Sequence, residues 1–117
     1  MPRFLAIYVG TATARDKAQW DEQPPEVLKQ QQDEGMGAWG AWMARNQAAI
    51  VDTGTPLGKT KRVSRDGVAN TTNTSVAYVI VEAATHDEAA RLFENHPHFS
   101  VFPGDSVEVM ECLPLPG

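Results

Sequence analysis

Ser75-Val76-Ala77-Tyr78-Val79-Ile80-Val81-Glu82-Ala83-Ala84-Thr85-His86-Asp87-Glu88-Ala89-Ala90-Arg91-Leu92-Phe93-Glu94-Asn95-His96-Pro97 is the stretch on which the fold turns. Val76 to Val81 is apolar, β-branched and aromatic, a composition that packs on a pleated surface, and Glu82 closes it. This is a central strand. In Thr85-His86-Asp87-Glu88 the Thr85 hydroxyl can accept the backbone N–H of Glu88 while the Glu88 carboxylate reaches back, so a helix is expected from about Asp87 to Asn95. Ala89, Leu92, Phe93 and His96 share one helical face, and Pro97 stands where further turns must stop. Phe99 to Phe102 then reads as a loop with apolar anchors, Pro103-Gly104-Asp105 as a turn, and Ser106 to Cys112 as the last strand.

Working back to the amino terminus, Arg3-Phe4-Leu5-Ala6-Ile7-Tyr8-Val9 is a strand apolar on both faces after Arg3, which calls for a layer on each side. Thr11 to Gln23 is polar, with Trp20 as its one large anchor, and reads as a loop with a helical turn. Pro24-Pro25-Glu26 suits a first helical turn, because proline lacks only an N–H that is unpaired there and the carboxylate favours the dipole. Val27 to Glu34 follows as helix. Gly35, Gly37 and Gly40 each cost a helix about 1 kcal/mol against alanine, yet Met36, Trp39, Met43 and Ile50 stay in helical phase. The main helix is therefore read over roughly Met36 to Ala48, continuous with the turns before it, its glycines admitting a close neighbour or a ligand.

Ile50-Val51-Asp52 is a short extended segment, and Thr53 to Gly58 is a run of turns. Lys59 to Ser64 and Val68 to Asn70 flank Arg65-Asp66-Gly67, and Asp-Gly between extended runs signals a β-hairpin, here an exposed one. The order is β, α, a short β plus hairpin, β, α, β. Four main strands and two helices in that order give an α+β class: a ferredoxin-like antiparallel sheet with both helices on one face, in a single domain over residues 1–117. The other face is then bare. Two such faces pressed together bury apolar area at roughly 25 cal/mol per Å², so a homodimer is expected.

The chain has 117 residues and a formal charge of −5, the length of one domain and the wrong sign for a general polyanion binder. No nucleic-acid partner is expected. No run approaches the roughly 20 apolar residues of a membrane span, and Phe4 to Val9 is too short for a signal-peptide core, so neither a membrane partner nor export is expected and the location reads as cytoplasmic. Cys112 has no partner for an intramolecular disulfide and reads as small strand packing.

Taken together, Arg3 to Val9, Asp52-Thr53-Gly54-Thr55-Pro56-Leu57, Thr85-His86-Asp87-Glu88-Ala89-Ala90, His96-Pro97 and Ser106-Val107-Glu108-Val109 resemble the YCII-related family, including its DGPF branch, of the dimeric α/β-barrel superfamily. The resemblance covers nearly the whole chain. It implies a homodimer whose two sheets enclose, or whose sheet and long helix border, a pocket suited to a small organic molecule. In some such proteins it implies lyase or dehydrohalogenase chemistry on small aromatic compounds, through a histidine near the start of the first helix and an aspartate. The main helix here has no histidine, so that dyad is not carried over, and Asp66-Gly67-Val68-Ala69 only loosely echoes the DGPF motif.

The residues leave a short set of chemical candidates. Asp52 is a base or ligand-orienting group if a pocket raises its pKa, or else a carboxylate that stabilises its own turn. His96 is a proton shuttle, or caps the end of the preceding helix; His96-Pro97-His98 lacks the companions a metal site needs. Tyr8 and Tyr78 offer phenols to a ligand or to the core. Trp39 and Trp42 leave different sides of one helix, so that one can meet the core and the other a pocket or partner. Glu108 is a pocket carboxylate or an exposed one. Lys59, Lys61, Arg62 and Arg65 attract an anion or are simply solvated. No cofactor and no metal are assigned. Two functions remain open: a small-molecule binder with lyase or isomerase activity, and a non-catalytic binding or interaction module. Cofactor-free oxygenation is a third, by superfamily analogy alone.

Overall fold

The computed structural model describes residues 1–116. Strands β1 (Arg3–Val9), β2 (Ile50–Asp52), β5 (Ser75–Glu82) and β6 (Ser106–Glu111) form one sheet in the order β2-β5-β1-β6, with every pairing antiparallel. Strands β3 (Thr60–Ser64) and β4 (Gly67–Thr71) pair only with each other, as a hairpin. Counting the main strands alone, the order is second, third, first, fourth, which is the ferredoxin-like plan.

Alternation along β1 sorts the sheet into two faces. Phe4, Ala6 and Tyr8 are buried, and opposite them in register lie Val81, Val79 and Ala77 on β5. Helix α2 (Pro25–Arg45) and helix α3 (His86–Arg91) cover this face through Trp42, Ala89 and Phe93, with Trp39, Met43 and Leu92 at the margin. Full burial of a side chain such as Phe4 or Val79 contributes about 1.5–3 kcal/mol. The other face carries Leu5, Ile7 and Val9, paired with Ile80, Tyr78 and Met110 among others, and among the described residues none of these belongs to the buried core cluster.

Several boundaries differ from the sequence reading. Helix α2 is continuous with the earlier turns as expected, 21 residues in all, but it ends at Arg45 and not at Ala48. Of its glycines, only Gly35 has a close neighbour: a Cβ there would run into the ring of Phe102, whereas nothing approaches Gly37 or Gly40. Tertiary packing through Trp39, Trp42 and Met43 thus outweighs three unfavourable propensities. The polar stretch after β1 contains helix α1 (Ala12–Ala18), capped by the Thr11 hydroxyl, which accepts the Ala14 N–H at 3.2 Å. Thr11 is itself held by Asp105, whose carboxylate accepts its N–H and its hydroxyl. Helix α3 has the expected Thr85 cap, the hydroxyl accepting the Glu88 N–H at 3.1 Å, but its regular turns end at Arg91.

The segment expected as a loop after Pro97 is one helical turn, α4 (Pro97–Ser100), with His96 as its N-cap. His96 therefore starts a helix rather than capping the end of the one before. The exposed His86 ring donates its Nε2–H to the Val109 carbonyl at 2.8 Å and stacks on Phe4. Cys112 lies past the end of β6 with an exposed side chain, so it packs nothing, although its N–H holds the Arg3 carbonyl at 2.9 Å.

Candidate functional site

The end of β1 brings the chemistry together. Tyr8, on the helix-covered face, is shut off from solvent, and its hydroxyl lies 3.1 Å from His96 Nε2. His96 is equally buried, boxed by Trp39 at 4.5 Å, Trp42 at 4.6 Å and Tyr8 at 5.0 Å between ring centroids, with Phe93 beyond. Its Nδ1 accepts the backbone N–H of His98 at 3.0 Å. A nitrogen that accepts a bond carries no proton, so in neutral His96 the proton sits on Nε2 and is donated to the Tyr8 oxygen. The position of a buried cap thus dictates a tautomer.

Electrostatics keep that state in force. Burial, and secondarily the charge of His98, push the His96 pKa down to about 4, so the ring is neutral near pH 7. Burial pushes the Tyr8 phenol well above its ordinary range, which makes it a donor and not a base. His98 is lowered as well, chiefly by burial, against the Val9 carbonyl and the Asp105 charge. Its Nε2–H donates to the Val9 carbonyl at 2.7 Å, and the same carbonyl accepts the Asp105 N–H at 3.0 Å. This carbonyl faces the start of β6, where Val9 pairs with Ser106.

Tyr8 and His98 both border a cleft of about 450 Å³, open to solvent on one side, between α2 and the edge of β5. Met36, Trp39 and Met43 line it from the helix, which accounts for the helical phase of these residues across the glycine-rich stretch. Phe102 closes one end, and Thr53 to Pro56 form the opposite lip. That lip is pinned to β5: the Leu57 N–H donates to Val76 O at 2.8 Å, and the Tyr78 N–H to Thr55 O at 3.3 Å. Gly54 takes φ +67° and passes so close to the Tyr78 carbonyl that no side chain would fit. Among the described residues, no Lys, Arg, Asp or Glu lines the cleft. Its volume and apolar lining with a few polar groups suit a small organic molecule.

The residues singled out from sequence are distributed as follows. Tyr8 and Trp39 line the cleft, and His96 stands directly behind Tyr8. Tyr78 borders the cleft, but its register partner is Ile7, so alternation sends its ring to the bare face and leaves the backbone at the lip. Trp42 lies in the core, its indole N–H donating to Leu92 O at 2.8 Å. The Asp52 carboxylate is exposed and accepts the Gly54 N–H at 2.8 Å, the turn-stabilising alternative. Glu108 is exposed on the bare face opposite Ile7. Neither acid is among the cleft residues.

Sequence reasoning passed over His98, Met36, Met43 and Phe102. The His-Pro-His spacing was a visible signal for His98, but it points first to metals; among the described residues no group of three His, Cys, Asp or Glu suits a metal ion. A second concavity of about 520 Å³ runs along the base of the hairpin between Lys59, Lys61 and Asn70, walled by exposed polar side chains. It contains no buried polar group.

No protein-family model matches the chain, and no curated protein matches it. Among solved structures it is similar to the 5-chloro-2-hydroxyhydroquinone dehydrochlorinase of Burkholderia phenoliruptrix AC1100, solved in complex with 2,5-dihydroxybenzoquinone. The two share 16% sequence identity over 93% of this chain and 90% of that chain, with a TM-score of 0.50. At that identity the likeness is one of fold.

Proposed function

We propose that this protein binds a small, largely apolar organic molecule in the cleft between α2 and the edge of β5. The observation that carries the reading is the buried Tyr8–His96 pair, a polar group held by its neighbours at the wall of an otherwise apolar, uncharged cavity. Support of a different kind comes from the dehydrochlorinase of the same fold, which is known in complex with a small quinone. Membership of the YCII/DGPF group, a cytoplasmic location and a homodimer belong to the same reading. The dimer is supported by the bare sheet face, where Leu5, Ile7, Ile80 and Met110 have no covering layer.

Turnover, as a lyase or isomerase, is the catalytic form of this proposal. It requires a base, and of the titratable side chains placed at the cleft, Tyr8 and His98, the imidazole of His98 is the type suited to that role. Binding without turnover is the second reading, favoured by the placement of Asp52 and Glu108 away from the cleft. Titration of ¹⁵N-labelled protein with a panel of small aromatic compounds tests the proposal. Binding shifts the Trp39 indole resonance and spares that of Trp20, which is outside the cleft. A panel of dozens of compounds that leaves Trp39 unmoved at millimolar concentration removes its basis.

A further inference from the structure

Strands β3 and β4 form a two-stranded ribbon that pairs with no other strand among the described residues, and every residue from Lys61 to Asn70 is exposed. An isolated hairpin of this kind is marginal in water, because a single ladder does little to offset the entropy of ordering it. The ribbon leaves the main sheet at the end where Val9 meets Ser75, with the Leu57 N–H bonded to the Val76 carbonyl at its root. Its projection goes with a radius of gyration of 16.2 Å, against about 13 Å for a compact chain of this length. The two sides of the ribbon differ. Val63 pairs with Val68, at 75% and 67% exposure, and on the same side Lys61 bonds Asn70 at 2.8 Å, with Arg65 in the turn beyond. Arg62 and Ala69 belong to the other side.

Charge and apolar pattern together single out what covers the valine side. Residues 59–73 hold four of the ten Lys and Arg but one of the fifteen Asp and Glu, so the ribbon is basic and the rest of the chain is more acidic than the net −5. The bare sheet face has the complementary make-up: Leu5, Ile7, Ile80 and Met110, with Glu82 and Glu108 on the same side and Arg3 beside Glu82. We propose that the β3–β4 hairpin is an arm that clasps a second copy of this chain, its Val63–Val68 side laid on the margin of that copy's bare sheet face and Lys61 and Arg65 meeting the acidic side chains there. The inference rests on the homodimer reading above and adds the element that completes the contact. Five residues in each strand give the arm about 17 Å, more than the roughly 10 Å between packed sheets. Twofold symmetry makes the exchange mutual, so each copy orders the other's arm. A nucleic acid would use the cations and leave the valine pair in water.

The test is sedimentation of the full chain. The wild type is expected to be a dimer that weakens as salt rises. Val63→Ser with Val68→Ser keeps every charge and should raise the dimer dissociation constant at least about tenfold. Lys61→Glu with Arg65→Glu should weaken the dimer and remove its salt dependence. With a benzophenone amino acid at position 68 in mixed ¹⁴N- and ¹⁵N-labelled chains, light should cross-link one chain to the other, on β1, β5 or β6. That readout decides the matter if the paired variants do not fold. A dimer as tight in both paired variants as in the wild type, or cross-links confined to one chain, overturns the arm while leaving the dimer through the bare face standing. Duplex DNA that binds the wild type but not the charge-reversed variant, with the dimer constant equal in the two, overturns the choice of occupant. A wild-type monomer at micromolar concentration overturns the dimer and the arm together.

Discussion

The Tyr8 hydroxyl lies 3.1 Å from His96 Nε2, 88 residues away in the chain, and both side chains are closed to solvent. The bond joins the third inward residue of the first strand to the N-cap of α4, the short helix before the last strand, and so ties early and late parts of the chain together. Its loss has a defined cost. Tyr8→Phe keeps the ring and leaves the His96 Nε2–H without a partner in a place water does not reach, and destabilisation of about 1–3 kcal/mol is expected. Urea unfolding at neutral pH measures it, and an unchanged midpoint would mean that the bond is not made in solution.

Acid should unfold the protein earlier than its carboxylates alone require. His96 titrates near its ordinary value of 6.5 when unfolded and at about 4 when folded. Between these values the unfolded chain binds the extra proton, so stability is full above the unfolded pKa and falls as pH drops through the window. The loss for this group approaches about 3 kcal/mol below the folded pKa. His98 acts in the same direction, its burial partly offset by the Val9 carbonyl and Asp105. His96→Gln should flatten the slope between these pH values, as read from urea midpoints across the range. An equal slope in wild type and variant would assign the acid lability to other groups.

The glycines divide by what stands opposite them. Gly37→Ala and Gly40→Ala meet open space on an exposed helix face and should each stabilise by about 0.5–1 kcal/mol. Gly35→Ala pushes on the Phe102 ring and should cost about 1–3 kcal/mol while narrowing the cleft. Gly54→Ala combines a left-handed φ with a collision against the Tyr78 carbonyl and should cost at least about 1–3 kcal/mol. Thermal unfolding of the four variants gives the order; a stabilised Gly54→Ala would contradict the seating of the 53–56 lip.

The bare sheet face can be tested for its partner. Ile7 is half-buried there with Glu108 as its register neighbour on β6. Ile7→Glu sets two carboxylates side by side on that face and should separate the proposed homodimer, with little cost to the folded monomer. Light scattering at micromolar concentration reads the change. A wild-type protein that is already monomeric there would remove the dimer from the reading.

Much of this architecture is legible in the residues alone. The apolar run Phe4 to Val9, the run Val76 to Val81 and the Thr85 cap specify strands and a helix by local chemistry, and the structure realises each of them. The continuity of α2 is not local: Trp39, Trp42 and Met43 hold it together through contacts far away in sequence. The site was harder to read for the same reason. Tyr8 and His96 could each be named, but their bond depends on a helix cap at His96 that a Pro97 stop signal conceals, since proline also suits a first helical turn. Asp52 and Glu108 drew notice as carboxylates, and their exposure follows from a turn bond and a strand parity that only the fold reveals.

The direction of the hydrogen bond between His96 and Tyr8 is fixed by the cap that His96 Nδ1 makes with the His98 N–H, and it can be observed without any ligand. Long-range ¹H–¹⁵N correlation of the His96 ring in the intact protein reports which nitrogen carries the proton. The expected result near neutral pH is a neutral ring with a protonated Nε2 and a bare, accepting Nδ1. A proton on Nδ1 would contradict it, because Nδ1 could not then accept the His98 N–H and the Tyr8 hydroxyl would have to donate to Nε2; a charged imidazolium at that pH would contradict the lowered His96 pKa.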